Sequence, residues 1–137
     1  MNTNQGDTQE KRWKQAAKLL GIDYYSTSLG VDRCRFPLEL LPEVIELGFT
    51  SFDYKFNYAP TVSTFYEFGK RAVEQGATVH LEGFLESKYR KDARFVVEGI
   101  RVTDIPDSAR LIMDFAQTFH DADEFTANPE LLRAWYD

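Results

Sequence analysis

The chain has 137 residues, a formal net charge of −6, 43 % hydrophobic and 15 % aromatic residues, one Cys and two His. That length fits one domain that buries roughly two thirds of its extended-chain surface, and a lone Cys excludes an intramolecular disulfide and a Cys-rich metal site. The charge is uneven: residues 1–103 balance, whereas residues 104–137 hold eight acids against Arg110 and Arg133, which argues against a polyanionic partner such as nucleic acid.

Residues 1–8 are polar and read as a disordered tail, leaving 9–137 as a single α+β domain. The first ten residues lack the apolar core of a secretory signal, and no run approaches the length of a membrane span, so the expectation is a cytoplasmic chain without membrane attachment. Residues 9–20 carry a helical pattern, with Trp13, Ala16, Ala17 and Leu20 on one side and Gly21 as the C′ stop. A poorly alternating strand is expected at 23–29, then a polar stretch of Asp32, Arg33, Cys34 and Arg35. Residues 37–47 read as helical, with Pro42 either at the first helical position or between two short turns.

The cleanest period-two pattern lies at 49–58, where Phe52, Tyr54, Phe56 and Tyr58 alternate with Ser51, Asp53, Lys55 and Asn57, and it predicts a strand. A helix follows, with Thr61 or Thr64 as N-cap and Val62, Phe65, Tyr66, Gly69, Ala72 and Val73 on its buried side, ending at Gly76. Residues 77–86 and 93–103 form a hairpin around the loop 87–92. Another helix begins near Pro106 and buries Ile112, Phe115, Ala116 and Phe119; residues 120–124 are an acidic loop; Asn128-Pro129-Glu130 signals a final helix with Leu131, Leu132, Trp135 and Tyr136 on its apolar side. These elements predict an α+β fold: a mainly antiparallel four- or five-stranded sheet with helices on one face, in a ferredoxin-like or permuted split β-α-β order, with extra N- and C-terminal helices.

The hairpin register follows from its apolar residues. Leu85 opposite Phe95 keeps Val79, Leu81, Phe95 and Val97 on one face, and it sets Glu82 opposite Glu98 with His80 facing Ile100. Adjacent carboxylates repel unless a cation, a shared proton or solvent offsets them. Glu82, Glu98 and His80 are therefore the candidate catalytic residues, one carboxylate as general base and the other, or the imidazole, as acid. Two solvated glutamates beside an ordinary strand histidine are the plain alternative. A divalent ion would also offset the pair, but the chain holds no recognisable metal quartet, and no cofactor is implied because neither a dinucleotide fingerprint nor a Walker loop is present. Tyr54, Tyr58 and Asp53 would border such a site as ligand-pocket residues. Cys34, flanked by Arg33 and Arg35, would gain thiolate character only if both guanidinium groups approached it.

A second set of residues suits contact with a partner: Lys88, Tyr89, Arg90 and Lys91 at the hairpin tip, and Trp135 and Tyr136 near the C-terminus. The preferred functional expectation is a small accessory or regulatory protein that binds another protein or a second copy of itself. The alternative is a small acid–base enzyme or small-molecule-binding protein using the His/Glu cluster.

Overall fold

A computed structural model describes residues 5–22, 31–86, 90–107 and 109–137. Its elements in chain order are α1 (Gln5–Leu20), β1 (Val31–Pro37), a 3-10 turn (Leu38–Leu40), α2 (Leu41–Glu46), α3 (Val62–Glu74), β2 (Thr78–Glu86), β3 (Arg94–Thr103), α4 (Ala109–Phe119), β4 (Glu124–Ala127) and β5 (Leu132–Trp135). The strands form one five-stranded sheet in the order β1-β2-β3-β5-β4, and each neighbouring pair is antiparallel. This is the expected α+β class. Its strand order is that of a meander with β5 and β4 exchanged at the end, rather than the interleaved order of a split β-α-β repeat, which needs a parallel pair.

The helices gather on one face because their apolar stripes meet one set of strand residues. Trp13, Ala16, Ala17 and Leu20 of α1, Leu41 and Val44 of α2, Val62, Phe65, Phe68 and Ala72 of α3, and Leu111, Phe115 and Phe119 of α4 belong to a single core. The sheet supplies Phe36, Val79, Leu81, Leu85, Phe95, Val97, Ile100, Val102, Leu132 and Ala134 to the same core. Phe65 and Phe119 stack at 5.4 Å, and Phe68 meets Phe115 and Phe119 edge-on at 5.5 and 5.4 Å, the offset arrangements that ring quadrupoles favour. Phe84 and Val96 are also buried but lie outside this core, on the opposite face of the sheet. That face carries none of the buried helix residues. No helix among the described residues is long and apolar enough to cross a membrane.

Local signals explain most element ends. Gly21, at φ 72°, closes α1 as C′, with the amide of Ile22 donating to the Ala17 carbonyl at 2.8 Å. α1 starts at Gln5 instead of residue 9. Pro42 sits in the first turn of α2, which the 3-10 turn precedes, so two short turns meet there. The Thr61 hydroxyl accepts the Thr64 amide at 3.3 Å and caps α3.

Three expectations are corrected. Residues 49–58 form turns, with one isolated bridge between Lys55 and Thr61. Their rings serve different surfaces: Phe49 lies edge-on to Trp13 at 4.7 Å, Phe52 against Tyr66 at 5.4 Å, and Phe56 against Phe84 at 5.7 Å, while Tyr58 is 68 % exposed. Alternation alone cannot make a strand when the rings have no common face to cover. The C-terminal helix is instead the β4–β5 hairpin. Asn128 does cap, but its Oδ1 accepts the amides of Glu130 at 2.8 Å and Leu131 at 2.9 Å to close the hairpin turn. Leu132, Ala134 and Tyr136 then alternate inward against Arg133 and Trp135, and this pairing with β3 and β4 outweighs the helix-start signal. The first strand lies at Val31–Pro37, over the stretch read as merely polar; the strand expected at 23–29 falls outside the described residues.

Candidate functional site

The β2–β3 hairpin keeps the expected register at its open end, with Leu85 opposite Phe95 and Gly83 opposite Val97. It then shifts by one: Glu82 faces Gly99 and His80 faces Arg101. Glu98 is the extra residue, a β-bulge on β3. The two glutamates are therefore not a cross-strand pair. The bulge resolves a conflict written in the sequence, because Phe95 and Val97 reach the core from odd positions and Ile100 and Val102 from even ones.

Glu82 and Glu98 nevertheless line one hollow of about 290 Å³ on the helix-free face, together with Arg33, Cys34, Arg35, Arg133 and Trp135. Its floor is Gly99. A Cβ there would stand 2.7 Å from the Ala134 carbonyl, 3.1 Å from Glu82 Oε1 and 3.3 Å from Trp135 Cδ1, so only glycine lets these groups converge. Arg33 and Arg35 reach the face because β1 alternates: Phe36 turns into the core and the arginines turn out.

Each glutamate has its own cation. Glu82, 8 % exposed, takes Arg133 Nη2 at 2.9 Å and Nε at 3.3 Å on one side, and Arg35 Nη2 at 3.2 Å and Nε at 3.3 Å on the other. Arg133 also donates Nη1 to Glu124 Oε1 at 2.7 Å. Glu98, 2 % exposed, pairs with Arg33 Nε at 3.4 Å and accepts a hydrogen bond from the Trp135 side chain. Burial raises its pKa above the ordinary carboxylate value; the Arg33 charge and the Trp135 hydrogen bond oppose that shift, and the Glu82 charge adds to it. Burial, assisted by the Glu98 charge, pushes the Cys34 thiol up to about 12. With its flanking arginines committed to carboxylates, Cys34 is a protonated thiol at neutral pH and a poor nucleophile.

Comparison with family models, curated proteins and solved structures finds no match to this chain. The site must be read from its own chemistry.

His80 stands on the same face one row from Glu82, but among the described residues it makes no hydrogen bond or ion pair with either glutamate. Tyr54, Tyr58 and Asp53 lie in the turn segment and do not line the hollow. Trp135 does line it, whereas Tyr136 is fully buried, its hydroxyl donating to Asp121 at 2.8 Å, and so presents no contact surface. Lys88 and Tyr89 fall outside the described residues; Arg90 and Lys91 are exposed, and Arg90 pairs with Asp92 at 2.8 Å. Much of the C-terminal acidity serves local structure: Asp114 pairs with Arg71, Asp121 holds Tyr136, Asp123 accepts the Asp137 amide, and Glu124 holds Arg133. Among the described residues no group of three His, Cys, Asp or Glu could hold a metal ion. The residues that sequence reasoning missed are Arg33, Arg35, Gly99 and Arg133, which become neighbours only once β1 and β5 flank the hairpin.

Proposed function

We propose that this protein is a small, non-catalytic accessory protein of the cytoplasm that binds a protein partner across the helix-free face of its sheet. The observation that carries the reading is the hollow itself, where Arg33 and Arg35 stand about half exposed over two buried carboxylates beside Trp135. Arginine and tryptophan at the centre of a polar concavity are the residue types that anchor protein interfaces. The carboxylates are suited to fixing those guanidinium groups in place. Glu82 in particular is engaged by two arginines, Arg35 and Arg133.

The test compares three forms of the full chain as cross-linking baits: wild type, Arg33→Gln/Arg35→Gln, and Met113→Glu on the exposed side of α4. The reading expects partners captured by wild type and Met113→Glu to be lost with the arginine double variant. The same proteins captured by all three baits, or lost only with Met113→Glu, would refute it. A second reading, a small-molecule or acid–base site, draws on the raised pKa of Glu98 within the same hollow. It expects a small ligand to protect the amides around Glu98 and Gly99 from hydrogen exchange, and no such ligand in a metabolite screen would remove it.

A further inference from the structure

We infer that Arg101, flanked on the helix-free face by His80 on one side and Arg133 on the other, receives an acidic, extended segment of the partner protein; this deepens the interface reading above and rests on it. The row is set by register. His80 faces Arg101 across β2 and β3, and Arg101 faces Arg133 across β3 and β5, so three basic side chains stand side by side on one face. Like charges directly opposite one another on a sheet destabilise it. The folded protein offsets only part of this. Arg133 is drawn off by Glu82 and Glu124. Arg101 is half-buried and has no ion pair among the described residues, and His80 has none either.

Glu82 stands on the same face two residues along β2 from His80, but it already accepts hydrogen bonds from Arg35 and Arg133. A guanidinium fork left open beside a second cation is matched by carboxylates, which it binds in bidentate fashion. The shape of the site selects the form of the ligand. Adjacent strands are about 4.8 Å apart, so the row is a line roughly 10 Å long and not a cup. A line suits successive carboxylates on an extended chain, whose alternate side chains recur about every 7 Å. The net charge of −6 comes from residues 104–137, so such a row also helps to orient an acidic segment, which that part of the chain repels.

The probe is an oligoglutamate peptide titrated into the full chain at low ionic strength and followed by NMR. The inference expects the resonances of His80, Arg101 and Arg133 to move. Arg101→Gln should weaken binding by roughly tenfold, while Arg110→Gln, which removes the same charge from the exposed start of α4, leaves it unchanged. Because Arg101→Gln removes a like-charge contact, its urea midpoint should stay level or rise, which separates lost binding from lost folding. Equal weakening by both variants, or no movement on adding the peptide, overturns the inference. So does inorganic phosphate producing the same shifts and fully displacing the peptide, which would make the row a free-oxyanion site, and so does peptide-independent dimerisation through this face. If the Arg33→Gln/Arg35→Gln bait loses its partners while oligoglutamate fails to bind, the interface reading stands and the acidic segment alone is refuted.

Discussion

Replacing Arg133 with Leu tests the electrostatic framework of the hollow. Arg133 supplies Glu82 with its 2.9 Å hydrogen bond, and the carboxylate is 8 % exposed. Removing one partner of a buried ion pair costs about 3–5 kcal/mol, because the remaining charge is left desolvated. Two features reduce that here: the Arg133 side chain is itself 24 % exposed, and Arg35 stays in place at 3.2 Å. A loss of about 2.5 kcal/mol follows, and with a urea m-value of about 1.5 kcal/mol/M the midpoint falls by roughly 1.7 M at unchanged slope. Glu82→Leu in the same background should restore most of it, since an apolar pair of matching bulk often replaces a buried ion pair without net cost. The assay is a double-mutant cycle by urea unfolding. A single-variant loss below about 0.5 kcal/mol, or a double variant as unstable as the sum of the singles, would refute the claim that these charges are buried and coupled.

Other outcomes follow from the same geometry. Gly83→Ala places a Cβ 2.3 Å from the Val96 carbonyl and 2.7 Å from Phe95 Cζ. A backbone oxygen cannot yield cheaply, so stability should fall by about 2 kcal/mol, seen in calorimetry as a thermal midpoint lower by roughly 8 °C. The Glu98 pKa is raised from 4.5, so the folded state holds that proton more tightly than the unfolded chain, and wild type loses stability as pH rises from about 4.5 through the raised value. Glu98→Gln should therefore gain on wild type across that window in pH-resolved urea titrations; a growing deficit with rising pH would mean that Arg33 and Trp135 outweigh burial. Asn128→Ala removes the acceptor that closes the β4–β5 turn and should cost about 1 kcal/mol in chemical unfolding, while Asn128→Asp keeps it.

Patterns with a single local interpretation carried over from sequence to structure. Gly21 ends α1, Thr61 caps α3, and Leu85 meets Phe95 because each depends on neighbours close along the chain or on one strong apolar pairing. Where two signals competed, tertiary pairing decided. Asn128-Pro129-Glu130 is a sound helix start, yet Leu132, Ala134 and Tyr136 carry a period of two that only an adjacent strand can use. The rings at 49–58 carry the same period without an adjacent strand, and they disperse. The bulge was signalled only by the change from odd to even apolar positions along β3. Of the candidate site, Glu82 and Glu98 were legible as neighbours on one hairpin. Their arginines were not, since residues 32–35 show no strand alternation and Asn128-Pro129-Glu130 signals a helix where β5 forms.

The insertion at Glu98 separates two kinds of constraint on β3. The hydrophobic phase of the strand is in step on either side of this one residue and slips only across it, so a single-codon deletion there would leave an uninterrupted ladder with Phe95, Val97, Ile100 and Val102 all still facing the core. Evolution could therefore add or withdraw this carboxylate, and with it the depression between Arg33 and Trp135, without rewriting the interior of the protein. The core and the charged hollow share this strand while drawing on different residues of it.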